Sequence, residues 1–254
     1  MLECADPHGT PTRRRALQRE RIVFPIVWNS SVVPLGDCAL TVDVPDAGGD
    51  SSQDRIRCLA ERIVADAPAG VTALVPAIRT LTVHYDPAQT TFRTLCDYLI
   101  TSLLSLRVVA APVRAPIVIP VVYGGESGPD LEYVAAVHQS TPDAIIAAHT
   151  AADYSVAMIG FLPGFPYLHG LDAALHTPRR AEPRTVVPAG SVGIGGSSTG
   201  VYPFTSPGGW HLIGRTPLRL FDARRSYPSL LSAGDRVRFT AISTSQFREL
   251  LERR

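Results

Sequence analysis

Residues 154–217 read YSVAMIGFLPGFPYLHGLDAALHTPRRAEPRTVVPAGSVGIGGSSTGVYPFTSPGGWHLIGRTP. Short apolar runs at 155–159, 185–187 and 211–213 alternate with clusters of glycine and proline, and further runs follow at 218–221 and 236–240. Apolar runs of this length, divided by turn-forming clusters, predict an all-β barrel or sandwich with long loops. Aromatic residues sit inside the clusters: Phe161, Phe165, Tyr167, Tyr202, Phe204 and Trp210. Glycine and proline at this density cost backbone entropy and hydrogen bonds unless loop shape itself is used. Rigid loops carrying aromatics and arginines suit a concave ligand site; the same loops also suit barrel closure, with the rings plugging a core.

Toward the N-terminus the pattern changes. Residues 35–44 (LGDCALTVDV) alternate as a strand does, and Ser51 or Ser52 caps a helix with Ile56, Leu59, Ile63 and Val64 at helical spacing. The tetrapeptide APAG at 67–70 stops that helix. Two short strands follow at 71–75 and 80–85, then a turn at Asp86-Pro87. Thr90 or Thr91 caps a second helix carrying Phe92, Leu95, Leu99, Ile100 and Leu103. With a last strand near Val108, the order β-α-β-β-α-β is a ferredoxin-like split βαβ layer. Ala111-Pro112 and Ala115-Pro116 mark a linker, a strand spans 117–123, and helices are expected at 129–138, from Thr141-Pro142, and at 244–251. The expected class is therefore α+β: a loose extension over 1–31, a small ferredoxin-like domain over 32–110 and a β-barrel domain over 111–254.

Composition narrows the chemistry. The 254 residues are 45% hydrophobic with a formal net charge of +1, enough for a real core and without the basic excess of a nucleic-acid or acidic-membrane surface. All basic residues are arginine. The chain therefore carries no Walker A, Schiff-base, biotinylated or carbamylated lysine, and any such group must come from another polypeptide. Cys4, Cys38, Cys58 and Cys96 form no CxxC pair, and the seven histidines show no metal spacing. Free thiols in a reducing cytoplasm are expected, with no metal ligands. The apolar run at 22–28 contains Pro25 and is too short to span a bilayer.

Gly196-Ser197-Ser198-Thr199-Gly200 matches the GxSxG pattern. A nucleophile elbow needs a helix after it, and Val201-Tyr202-Pro203-Phe204 does not begin one. Arg179, Arg180 and Arg184 suit bidentate capture of a carboxylate or phosphate, or equally salt bridges at a solvated loop or interface. Asp130 reads as a helix-start charge, while Glu126 stays open between acid–base and structural roles. His211, next to Trp210, is the histidine singled out for function.

The segments 123–126 (YGGE), 128–131 (GPDL), 160–172, 178–180 (PRR), 187–193, 199–203 (TGVYP) and 206–217 resemble, in order, a known family: the KipI-like proteins, 5-oxoprolinase B subunits and allophanate hydrolase subunit 1. Residues 35–37, 82–87 and 234–239 fit as well, so the resemblance covers nearly the whole chain after residue 32. It implies a cyclophilin-like barrel for the second domain. It also implies a larger KipA-like partner (the C-type component of 5-oxoprolinase) and a third, A-type component. Together these open 5-oxoproline to glutamate, with ATP bound at the level of the complex. The pair resembles the carboxyltransferase region of urea carboxylase. KipI itself inhibits a sensor histidine kinase, so a regulatory binder is the competing implication; isomerase activity does not follow from a barrel. One position departs from the family: Ser198 stands where the family has glutamine, and a hydroxyl reaches less far than an amide.

The resulting candidate site is a groove for a small amide or lactam. Phe165 and Trp210 supply an apolar face, and Phe161 and Pro163 shape the loop beside it. Thr199, Tyr202 and His211 supply polar contacts, Arg179 or Arg180 meets an anion, and Glu126 is a further candidate.

Overall fold

The computed structural model describes residues 22–23, 31–109 and 115–253, so the expectations for residues 1–21 and for the linker at 111–112 lie outside the described residues. The first elements are β1 (Ile22–Val23), β2 (Ser31–Pro34), β3 (Ala39–Asp43), α1 (Ser52–Asp66), β4 (Val71–Pro76), β5 (Thr80–Tyr85) and α2 (Phe92–Leu104). Their sheet runs β1-β2-β3-β5-β4 with every neighbour antiparallel. β3 and β4 are thus parallel to each other, joined by α1, and separated by β5: a split βαβ unit. Ser51 caps α1 by accepting from the Asp54 N–H, and Thr91 caps α2 by accepting from the Thr94 N–H. Leu40, Val42, Ile56, Leu59, Ile63, Leu81, Leu95 and Leu99 close the core between sheet and helices. Val64, at the edge of the helical stripe, is exposed.

Two details differ from the sequence pattern. Residues 35–38 are a hairpin turn, closed by the Leu35 N–H on the Ala39 carbonyl, so β3 starts later than its alternation implied. No strand forms at Val108; β2 fills that edge, pairing Val32 with Val42. Strand pairing therefore begins before residue 32, with Ile22 opposite Val32.

The second domain contains β6 (Ile117–Tyr123), α3 (Leu131–Val137), α4 (Pro142–Ala151), β7 (Tyr154–Ile159), β8 (Pro166–His169), a 3-10 turn at Ala173–Leu175 and β9 (Arg184–Val187). It continues with β10 (Ser191–Gly195), β11 (Ser198–Val201), β12 (Ser206–Gly208), β13 (His211–Arg215), β14 (Arg236–Ala241) and α5 (Thr244–Glu252). Seven strands close a barrel in the order β10-β11-β8-β7-β14-β6-β13, and β9 pairs with β12 as a separate two-stranded sheet. Only β6 and β14 run parallel within the barrel. Ile119, Val121, Val192, Ile194, Val201, Ile213, Val237 and Phe239 fill it, and α3 and α4 cover it through Leu131, Val134 and Ile145.

β8, β10 and β11 lie in sequence that reads as loop, and in β10 and β11 packing explains why glycine stands there. A Cβ on Gly195 would sit 2.6 Å from the Trp210 ring, and one on Gly200 would sit 2.6 Å from the Pro166 carbonyl oxygen. Glycine in these strands makes room for an aromatic layer and a neighbouring backbone. The GxSxG match is the turn of the β10–β11 hairpin: Gly195 pairs with Ser198, leaving Gly196 (φ +65°) and Ser197 as a two-residue loop. The apolar run at 218–221 is not a strand; Leu220 is buried, but the segment makes only a bridge from Phe221 to Ser229. Cys38, Cys58 and Cys96 are free thiols, and Cys4 lies outside the described residues.

Candidate functional site

On the barrel flank, Phe165, Val187, Tyr202, Trp210 and Leu212 form a second buried cluster. Phe165 meets Trp210 edge to face at 5.4 Å and Tyr202 at 5.1 Å, and Tyr167 meets Trp210 at 5.7 Å. Such edge-to-face arrangements set ring against ring in a rigid wall. The wall backs a groove of about 290 Å³, closed on other sides by Phe161, Arg179, Arg180, Pro183 and residues 207–209. Phe161 stands at its mouth, 59% exposed, with its backbone in the left-handed region at φ +65°. A turn imposes this conformation: the Gly160 N–H donates to the Phe165 carbonyl, and the Phe165 N–H donates to the Leu162 carbonyl. An aromatic residue held there stores local strain, a property that concentrates at functional sites.

Asp130 organises the charge beside the groove. Its carboxylate accepts from Arg184 Nη1 and Nη2 at 2.7 Å each, from Arg180 Nη1 at 3.3 Å, and from the Leu212 N–H at 2.7 Å. The Asp130 N–H in turn donates to the Leu212 carbonyl, which ties the start of α3 to β13. Burial pushes the Asp130 carboxyl upward, but the Arg184 hydrogen bonds, the Leu212 N–H and Arg180 together hold it below the usual carboxylate range. Arg180 also donates through Nε to the Glu182 carbonyl. The Arg179 side chain lines the same groove and makes no hydrogen bond or ion pair with any described residue. Burial raises the Tyr202 phenol, against the opposing pull of the Trp210 N–H and of Arg179 and Arg184.

Of the residues singled out in the sequence, Phe161, Phe165, Arg179, Arg180, Tyr202 and Trp210 share this groove. Pro163 belongs to the turn beneath it, Glu126 is exposed in the segment before α3, and neither lines the groove. Thr199 is fully buried: its hydroxyl donates to the Gly193 carbonyl at 2.9 Å and so accepts from His149 Nε2 at 3.0 Å. His149 Nδ1 then accepts from the Tyr123 hydroxyl at 2.8 Å, which assigns one tautomer to the ring. Burial lowers the His149 pKa to about 3, so the imidazole is neutral in the folded barrel. His211 is buried behind the groove, donating from Nε2 to the Pro178 carbonyl and stacking on Tyr133 at 4.8 Å. Ser198 ends the hairpin and does not line the groove. Sequence reasoning underweighted Asp130, because its Pro-Asp-Leu context looks local while its arginine partners lie 50 and 54 residues away. Among the described residues no cluster of three or more His, Cys, Asp or Glu side chains is placed to hold a metal, and no helix is long and apolar enough to cross a membrane.

Comparison with known proteins agrees with the fold and with the ordered motifs. Residues 30–231 match the family model for the carboxyltransferase domain, subdomains C and D. The chain is 46% identical over 209 residues to the 5-oxoprolinase B subunit of Haemophilus influenzae, covering 82% of this chain and 96% of that protein. The chain belongs to the 5-oxoprolinase B-subunit family. Within the solved structures, a crystal structure of TTHA0988 aligns with a TM-score of 0.71 at 35% identity over 81% of this chain. The chain spans 40% of that polypeptide's length. Kluyveromyces lactis urea carboxylase aligns with the same TM-score of 0.71 over 88% of this chain and 22% of its own, but at 19% identity it shares the fold alone. This two-domain unit thus occurs both as nearly a whole chain and as part of a longer one.

Proposed function

We propose that this chain is the B subunit of an ATP-dependent 5-oxoprolinase and that the groove walled by Phe161, Phe165, Tyr202 and Trp210 receives the small lactam. Family membership makes it a non-autonomous component of an amidohydrolase-type enzyme. The reaction consumes 5-oxoproline, ATP and water and yields glutamate, ADP and phosphate. Its other components are a larger KipA-like chain of the C type and a third chain of the A type, and the complex operates in the cytoplasm. The observation that carries the reading is the juxtaposition of a rigid aromatic wall with an uncommitted guanidinium in one groove. A flat ring needs an apolar face to lie on and few, directed polar contacts to fix its orientation.

The contribution of this chain is binding and orientation. The GxSxG match is a hairpin turn, and His149 spends both ring nitrogens on Tyr123 and Thr199. With no lysine in the sequence, groups that engage ATP phosphates come from arginines or from the partner chains. The test is reconstitution. The purified chain alone is expected to show negligible 5-oxoproline-dependent ATP hydrolysis, which appears on mixing with the partner chains. Trp210→Ala is expected to remove most of that activity while the protein still folds by circular dichroism and still binds its partner. Robust turnover by the single chain, or normal turnover by Trp210→Ala in the complex, overturns the proposal.

A further inference from the structure

The three arginines beside the groove are not equivalent. Arg184 gives two nitrogens to Asp130, one to each carboxylate oxygen, and Arg180 divides itself between Asp130 and the Glu182 carbonyl. Arg179 alone of the three makes no hydrogen bond or ion pair with a described residue, although it lines the groove next to the aromatic wall. A guanidinium carries five N–H donors in a fixed fork, and a carboxylate is the group that matches two of them at once. A terminal phosphate, with more charge and more acceptors, would draw on several free cations, and Asp130 already occupies the other two.

We propose that Arg179 binds the ligand's carboxylate and thereby selects lactam acids over neutral lactams, while Asp130 keeps Arg180 and Arg184 from competing for that anion. This rests on the groove being the lactam site. Geometry supports a directed contact: the Arg180 N–H donates to the Gly209 carbonyl at 2.8 Å, which anchors the backbone next to Arg179 to the groove floor. Phe161, 5.5 Å from Phe165, lines the same groove as Arg179, so an aromatic wall and a guanidinium border one space. Asp130 is a positioning residue in this scheme; it touches arginines, not ligand.

The experiment uses the reconstituted complex and two probes, 5-oxoproline and its neutral carboxamide, 5-oxoprolinamide. KM is measured for the acid, and the inhibition constant for the amide. Arg179→Ala is expected to raise KM for the acid roughly 30- to 100-fold, the value of one charged bidentate contact, and to leave the inhibition constant of the amide within about two-fold. Arg179→Lys, which keeps the charge without the fork, is expected to fall between. An unchanged KM, or a parallel rise in both constants, overturns the assignment, and so does loss of partner binding, which would place Arg179 at an interface with the partner. Phe161→Ala separates the two levels of argument. If it weakens both probes while Arg179→Ala weakens neither, the groove stands and the carboxylate contact falls. If neither variant changes either constant, both fall.

Discussion

Arg184 and Asp130 meet nitrogen to oxygen at 2.7 Å on both forks, across 54 positions of sequence, and the same carboxylate holds the backbone of Leu212. One buried side chain thus joins the loop before α3, the β9 edge and the β13 ladder. A bidentate pair of this kind is stabilising only while both partners remain.

Asp130→Asn is therefore expected to destabilise the chain by about 2–3 kcal/mol in urea unfolding, since Arg184 loses its counter-charge in a partly dry site. The pH dependence has a definite sign. The folded carboxyl is lowered relative to the unfolded one, so its stabilisation is complete above the unfolded value and is lost as pH falls through the folded value. The acid limb of the stability curve below about pH 4 should be shallower in the asparagine variant than in the native chain.

His149 gives a second, separable pH effect. Its folded pKa of about 3 lies below the ordinary value of 6.5, so between these values the unfolded chain takes up a proton that the folded chain refuses. Stability should fall as pH drops from about 6 toward about 4, with this group contributing a slope of up to about 1.4 kcal/mol per pH unit. His149→Gln should flatten that slope in denaturation measured across the same window. An unchanged slope would show that the ring is not the titrating group.

Gly200→Ala probes the strand that sequence hides. The added methyl would meet the Pro166 carbonyl at 2.6 Å and the Trp210 and Phe165 rings at 3.1 and 3.2 Å. The expected cost is about 1–3 kcal/mol, read as a lower melting temperature with altered Trp210 fluorescence. Native stability in this variant would mean that β8 and β11 are farther apart than described.

Phe161→Gly should separate stability from binding. Glycine relieves the left-handed strain at φ +65°, and the ring it removes is mostly exposed, so the melting temperature should hold or rise. Affinity of the assembled complex for its lactam should fall. A lower melting temperature with intact affinity would make Phe161 a packing residue.

Legibility in the sequence follows the locality of each cause. The helices α1, α2 and α4 announce themselves through Ser51, Thr91 and Thr141 caps ahead of apolar spacing, all within a few residues. β7, β13 and β14 are short apolar runs and read directly. β8, β10 and β11 do not: β8 is only four residues long and opens on Pro166, while the glycines of β10 and β11 answer to the Trp210 ring and the Pro166 carbonyl rather than to a turn. The run at 218–221 misleads in the opposite direction: Leu220 is buried, but the segment pairs only through the isolated Phe221–Ser229 bridge and forms no strand. In the site, Phe161, Arg179 and Trp210 stand out by composition. The commitment of Arg180 and Arg184 to Asp130, and of Thr199 to His149, is made by folding and has no local signature.

The parallel pairing of β6 with β14 also fixes an order of events during synthesis. β14 lies between β6 and β7 in the closed cylinder, yet it is the last of these strands to leave the ribosome. Until residues 236–241 emerge, β6 and β7 present unpaired edges that invite pairing with other chains. The N-terminal sheet, complete by β5 and covered by α1 and α2, takes no strand from downstream. A nascent chain of this protein therefore carries one finished domain ahead of an open barrel, and the window of greatest aggregation risk closes only with its final strand.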